Sequence, residues 1–122
     1  SAVDANGIYG DAGDFDNMAV SRHDPIRIAI STGGASPALT VHLNDAIHAL
    51  IGEHYPTLAR WLGELRPRVL AEIPDAKIRR AFWRHVIDSD VIDLLRSGSE
   101  DEAHARLLDL FNTTVKSEGV QS

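Results

Sequence analysis

The sequence predicts an α+β fold that is mainly α, a β-hairpin and helix followed by a small helical domain. Three observations carry this. Isoleucines alternate at Ile26, Ile28 and Ile30, apolar residues recur every three or four positions from Leu39 onward, and helix-start signals stand at Ser36-Pro37, Pro74-Asp75 and Ser99-x-x-Glu102. At 122 residues, 43% hydrophobic and 25% charged, the chain has the composition of a globular protein with room for one core or two small subdomains.

The first 25 residues differ from the rest. Asp4, Asp11, Asp14, Asp16 and Asp24 are interleaved with Gly7, Gly10 and Gly13, a mixture that favours turns and predicts a loop-like opening. Ala2-Val3-Asp4 reads as the end of a strand, so this opening is expected to be the remnant of a truncated domain. Met18 to Ser21 and Ile26 to Ser31 read as two strands joined by Arg22-His23-Asp24-Pro25, whose Asp and Pro suit a turn. A lone two-stranded hairpin is marginal in water, so its isoleucine face must lie on helices or pair with another chain.

Helical periodicity begins after Ser36, a good N-cap, and Pro37, whose missing N–H does no harm in a first turn. Leu39, Leu43, Ile47, Leu50 and Ile51 form one apolar stripe that fades at Gly52. A second stripe holds Leu58, Leu62, Leu65 and Val69, with Pro67 inside it expected to kink or divide the helix. A third helix begins at Asp75 and carries Ile78, Phe82 and Val86, and a short fourth holds Val91, Leu94 and Leu95 up to Gly98. Ser99 and Glu102 form a capping box before Leu107, Leu110 and Phe111, and the tail from Lys116 is expected to fray.

Several function classes are disfavoured. A net charge of -6 argues against nucleic acid and anionic lipid, both of which need positive surface potential. The absence of cysteine rules out thiol chemistry and thiolate metal sites, and is compatible with a cytoplasmic protein. No apolar run approaches the roughly 20 residues that cross a bilayer, so no membrane association is expected. His42, His48 and His54 are spaced by six, which turns successive rings by about 240° around a helix, and no metal is expected.

The stretch from Ile26 to Leu39 is the most informative. Consecutive amides at Gly33, Gly34 and Ala35, with the positive end of the following helix, make an anion cradle. A Gly-Gly turn before a Ser-Pro cap also serves as a plain connector, and both readings stand on the residues alone. No Lys follows as in a phosphate-binding loop, and Gly-x-Gly-x-x-Gly does not occur.

Ile28-Ala29-Ile30-Ser31-Thr32-Gly33-Gly34-Ala35-Ser36-Pro37-Ala38-Leu39 resembles the signature of the sirohaem synthase family, the precorrin-2 dehydrogenases and sirohydrochlorin ferrochelatases. Val3-Asp4 and Arg79-Arg80-Ala81-Phe82-Trp83 resemble two further elements of that family, in the expected order. The likeness runs to about Leu95 and corresponds to the C-terminal half of the enzyme, without the half that binds NAD.

The resemblance implies part of an enzyme that oxidises precorrin-2 to sirohydrochlorin with NAD and, in bifunctional members, inserts Fe²⁺ as a chelation substrate. It implies a catalytic carboxylate at Asp4, with Asp11, Asp14 and Asp16 as competitors because Gly7 to Gly13 departs from the family pattern. It implies substrate contacts at Ser31, Thr32, Gly33, Gly34, Ala35 and Ser36, and a homodimer built on the hairpin region. The expected division is a remnant of the nucleotide-binding domain over 1–15, a hairpin-helix dimerisation domain over 16–54 and a helical domain over 55–122. The alternative is a non-catalytic module that binds a tetrapyrrole or assembles subunits. Arg66, Arg68, Arg79, Arg80 and Arg84 make the helical region locally basic, either as solvated faces or as grips for carboxylates. Trp61, Phe82 and Trp83 suit core packing or stacking on a ring.

Overall fold

The computed structural model describes the backbone of residues 2–3, 9–11 and 18–121 and the side chains of residues 23–118. The chain folds as two compact units, residues 1–59 and 60–122. Its class is α+β and mainly α.

In the first unit, strands β1 (Ala2–Val3), β2 (Tyr9–Asp11), β3 (Met18–His23) and β4 (Ile26–Ser31) form one antiparallel sheet in sequence order. The loop-like opening is therefore corrected. Val3 pairs with Tyr9, and Tyr9 in turn pairs with Val20, so two short strands extend the hairpin's sheet despite their glycines and aspartates. Backbone pairing needs only extended φ/ψ and a neighbouring edge, and β3 supplies that edge. The hairpin loop is also shorter than expected. His23 pairs with Ile26, leaving Asp24-Pro25 alone as the turn, with a cis bond between them. Ile26, Ile28 and Ile30 are half-buried while Arg27, Ala29 and Ser31 are exposed, the period-2 pattern of a one-sided sheet.

Helix α1 (Pro37–Ile51) packs over β3 and β4. Its caps are those read from sequence: the Ser36 hydroxyl accepts from the Leu39 amide, and the Gly52 amide closes the last turn on the His48 carbonyl. Its orientation is not what the apolar stripe suggests. The side facing the sheet is Thr40, Asn44 and Ile51, all buried, whereas Leu39, Leu43 and Leu50 are 46%, 38% and 72% exposed.

The second unit is helical. Helix α2 (His54–Glu72) runs unbroken through Pro67, so the expected division does not occur. A proline ring removes one i→i−4 bond, here the one to the Gly63 carbonyl, and the turns on either side hold the helix. Helix α3 (Ala76–Asp88) starts where the Asp75 carboxylate accepts from the amides of Lys77 at 2.8 Å and Ile78 at 3.3 Å. Helix α4 (Val91–Arg96) ends in a Schellman motif, with Ser99 N–H bonded to Leu94 O and Gly98 N–H to Leu95 O. The φ of 82° at Gly98 is why glycine stands there. Helix α5 (Glu100–Gln121) continues past Lys116, so the tail is helical and not frayed. The Ser99 hydroxyl at its start lies 3.2 Å from that of Ser97, and among the described residues the expected capping box does not close.

The interior of this unit is Leu65, Val69, Ile73, Phe82, Val86, Leu107 and Phe111, each at most 5% exposed. Phe82 and Phe111 meet edge to face at 5.9 Å, and an ion pair from Arg106 to Asp90 fastens α5 to the start of α4. Trp61 stands edge-on to His104 at 4.7 Å. Among the described residues no helix is long and apolar enough to cross a membrane, and no three His, Asp or Glu side chains converge as a metal site.

Candidate functional site

The residues singled out by sequence, Ser31 to Ser36, form the corner between β4 and α1. The Ala35 amide bonds the Thr32 carbonyl at 3.2 Å, closing a β-turn with Gly33 and Gly34 at its centre. Their φ values are 65° and 81°, positive at both central positions as in a type I′ turn. A Cβ built on Gly33 meets nothing within 4 Å, so backbone conformation alone, and not crowding, demands the glycine.

Thr32 is the hub of the corner. The Ser36 amide donates to its Oγ1 at 3.2 Å, its Oγ1 lies 3.1 Å from Thr40 Oγ1, and the Thr40 hydroxyl donates to the Ser36 carbonyl at 3.1 Å. The Thr32 Oγ1 also lies 3.2 Å from the Ser36 carbonyl, so each of the two hydroxyl protons goes either to that carbonyl or to the other hydroxyl. Every polar group in that ring is then satisfied. The Gly33 amide is also engaged, donating to the Ser31 hydroxyl at 3.1 Å. The amides of Gly33, Ala35 and Ser36 thus donate within the corner, and the Gly34 amide donates to none of the described residues.

Thr32→Val removes both the acceptor for the Ser36 amide and the hydroxyl that bonds the Ser36 carbonyl and Thr40, while keeping shape. A loss of about 1–3 kcal/mol is expected, read as a lower thermal midpoint, with Thr32→Ser close to the parent protein. A loss in Thr32→Ser with none in Thr32→Val would assign the effect to packing of the methyl group.

Asp4 and its competitors Asp14 and Asp16 lie outside the described residues. Asp11 ends β2, paired with Met18, and its side chain is likewise outside them.

Sequence reasoning missed the polar side of α1. Asn44 is fully buried, and among the described residues neither its amide nitrogen nor its amide oxygen has a hydrogen-bond partner. The i, i+4 spacing of Thr40 and Asn44 was the available signal. It also missed a contact between His23 at the end of β3 and His48 in the last turn of α1, whose rings are 4.3 Å apart. Burial holds the His23 imidazole below its usual range, since it disfavours the charged form, and the adjacent His48 adds to this.

The sign of the resulting pH dependence follows. The unfolded chain, with a value near 6.5, takes up the proton more readily than the folded one, so stability is full above that value and is lost as pH falls through the folded pKa. Unfolding midpoints should fall between about pH 7.5 and about pH 5, and His23→Gln should flatten that slope. An unchanged slope in the variant would assign it to other groups.

Comparison with known proteins points one way. The family described as the sirohaem synthase dimerisation region matches residues 54–111. Siroheme synthase of Methylococcus capsulatus is 34% identical over 105 residues, 86% of this chain and 22% of that protein. The Psychrobacter cryohalolentis protein of the same name is 42% identical over 103 residues, 84% of this chain and 20% of its own length. That of Thioalkalivibrio sulfidiphilus is 41% identical over 83 residues, 68% and 17% respectively. The chain thus spans about a fifth of the length of the curated relatives it matches. A match over 105 of 122 residues necessarily includes Ser31 to Ser36, so the likeness takes in the corner as well as the helical unit.

Proposed function

We propose, for a chain that carries a sirohaem synthase dimerisation region, that it works in sirohaem biosynthesis as the dimerising part of a precorrin-2 dehydrogenase, with ferrochelatase activity in the same parent enzyme. The observation that carries the reading is the β4–α1 corner, whose Ser31-to-Ser36 stretch ends a strand, opens a helix and falls inside the match to the siroheme synthases.

On this reading the corner borders a macrocycle rimmed with carboxylates. The helix N-terminus and the Gly34 amide favour a carboxylate nearby. The other corner amides fix the shape that presents them. Dehydrogenation of precorrin-2 removes a hydride and a proton, and Asp4, or one of Asp11, Asp14 and Asp16, takes the proton. The same carboxylate accepts pyrrole protons as Fe²⁺, a substrate, enters the ring. NAD would supply the hydride acceptor. The residues of this chain do not fit it, since no Gly-x-Gly-x-x-Gly is present and the Gly33, Ala35 and Ser36 amides are spent on the turn, so NAD belongs to the remainder of the parent enzyme.

Titration of the chain with sirohydrochlorin, followed by absorbance, tests the tetrapyrrole contact. A saturable spectral shift that Ala35→Glu weakens is expected, because the added carboxylate repels those of the ligand. No shift at high concentration would remove the substrate-wall role. A second reading, assembly without a tetrapyrrole contact, is favoured by one observation: Leu39, Leu43 and Leu50 leave an uncharged apolar side of α1 exposed. A homodimer through that side fits both readings.

A further inference from the structure

The helical unit carries a groove between α2 and α3 that the dehydrogenase reading does not use. Two adjoining hollows share Arg66 and Trp83. One, of about 220 Å³, is lined by Leu70, Arg79 and Arg80; the other, of about 290 Å³, by Leu62, Gly63 and Ile87. Leu70 and Ile87 are 49% and 48% exposed. One end of the groove is therefore apolar and the other cationic.

The arginines of this unit are not equivalent. Arg68 pairs with Glu72, Arg84 with Asp88 and Arg106 with Asp90, while Arg79 donates to the carbonyls of Ile73 and Pro74. Arg66 and Arg80, both lining the groove, have no carboxylate within ion-pair distance among the described residues. An acidic chain of net charge -6 thus keeps two unneutralised guanidinium groups beside an indole. The groove floor adds a second oddity. Gly63 sits inside α2, where glycine costs about 1 kcal/mol relative to alanine, yet a Cβ there meets nothing within 4 Å. Neither crowding nor a positive φ calls for it. A glycine does let another backbone approach closely, and Pro67, lacking an N–H, leaves the Gly63 carbonyl without its helical donor.

We propose that this groove docks a helical polypeptide segment of a different protein or domain, one presenting an apolar side chain to Leu62 and Ile87 and carboxylates to Arg66 and Arg80. From Leu62 to Leu70 the groove runs about 12 Å at roughly 1.5 Å per residue, two turns of such a helix. Two open hollows of this size suit side-chain anchors along a helix. A second copy of this chain is the poorer occupant, because a two-fold contact centred here sets Arg66 and Arg80 against their own copies. The uncharged side of α1 is free of that conflict.

The test uses the whole chain and a capped alanine-based helical peptide of about 16 residues with a leucine followed by glutamates four and seven positions later. Binding is read by fluorescence anisotropy and by the Trp83 indole N–H resonance, identified with Trp61→Phe. The peptide should shift Trp83 and not Trp61, and a version with lysines in place of the glutamates should not bind. The double variant Arg66→Glu, Arg80→Glu should weaken the acidic peptide by at least about tenfold and gain affinity for the lysine peptide. Equal binding of both peptides, no binding of the acidic one at millimolar concentration, or binding only of a small aromatic anion such as 1-pyrenecarboxylate would overturn the proposal. A changed oligomeric state in the double variant would do so too, by assigning the groove to contact between copies.

Discussion

Phe111→Ala should unfold much of the helical unit. Phe111 is fully buried at the centre of α5, meets Phe82 edge to face, and lies under the Arg68 guanidinium at 4.9 Å from the ring centre. Truncation to alanine removes the apolar surface, the aromatic pair and the cation–π contact at once. Core Phe→Ala changes cost about 3–5 kcal/mol, and a small domain has only about 5–15 kcal/mol in total. Circular dichroism melts should therefore show a large fall in midpoint, with Phe111→Leu recovering most of it because volume is nearly kept. A fall no larger than that of an exposed control such as Ile87→Ala would mean that the Phe82–Phe111 contact does not organise this unit.

The helical unit was legible in the sequence because its signals are local. Asp75 has a side chain that bonds amides two and three residues on, and Gly98 supplies a positive φ one residue past a helix end. Phe82, Val86, Leu107 and Phe111 sit on stripes that look inward because each has another helix of the same unit to meet. Pro67 misled for an equally local reason: the lost bond to the Gly63 carbonyl was overweighted against the long helix around it. In the hairpin unit the decisive contacts join residues far apart in sequence. Nothing in the pattern around His23 announces His48, twenty-five positions on, and nothing around Tyr9 announces that Val20 supplies its strand partner. The corner was half legible. Its glycines and the Ser36 cap were plain, but the Thr32–Ser36–Thr40 ring that occupies the Ser36 amide depends on the turn geometry itself.

The orientation of α1 has the largest functional consequence. Periodicity states which residues share a side of a helix, not what that side meets. Leu39, Leu43, Ile47, Leu50 and Ile51 form one stripe, which the sequence alone assigns to the core, and of these Ile51 is buried as expected. In the chain, the buried positions are Thr40, Asn44 and Ile51, and the leucines face outward. In the proposed homodimer, the exposed leucine side of α1 meets the partner copy while Thr40, Asn44 and Ile51 stay buried within the chain. Leu43→Asp with Leu50→Asp should therefore leave the unfolding midpoint of the isolated chain nearly unchanged while abolishing self-association. Burying a leucine contributes about 1.5–3 kcal/mol, and an aspartate in its place adds a desolvation cost, so the pair should raise the dissociation constant by at least about a hundredfold. Sedimentation velocity at matched concentrations reads the result directly. Unchanged association in the double variant would remove α1 from the interface and leave the exposed leucines without a partner of their own kind.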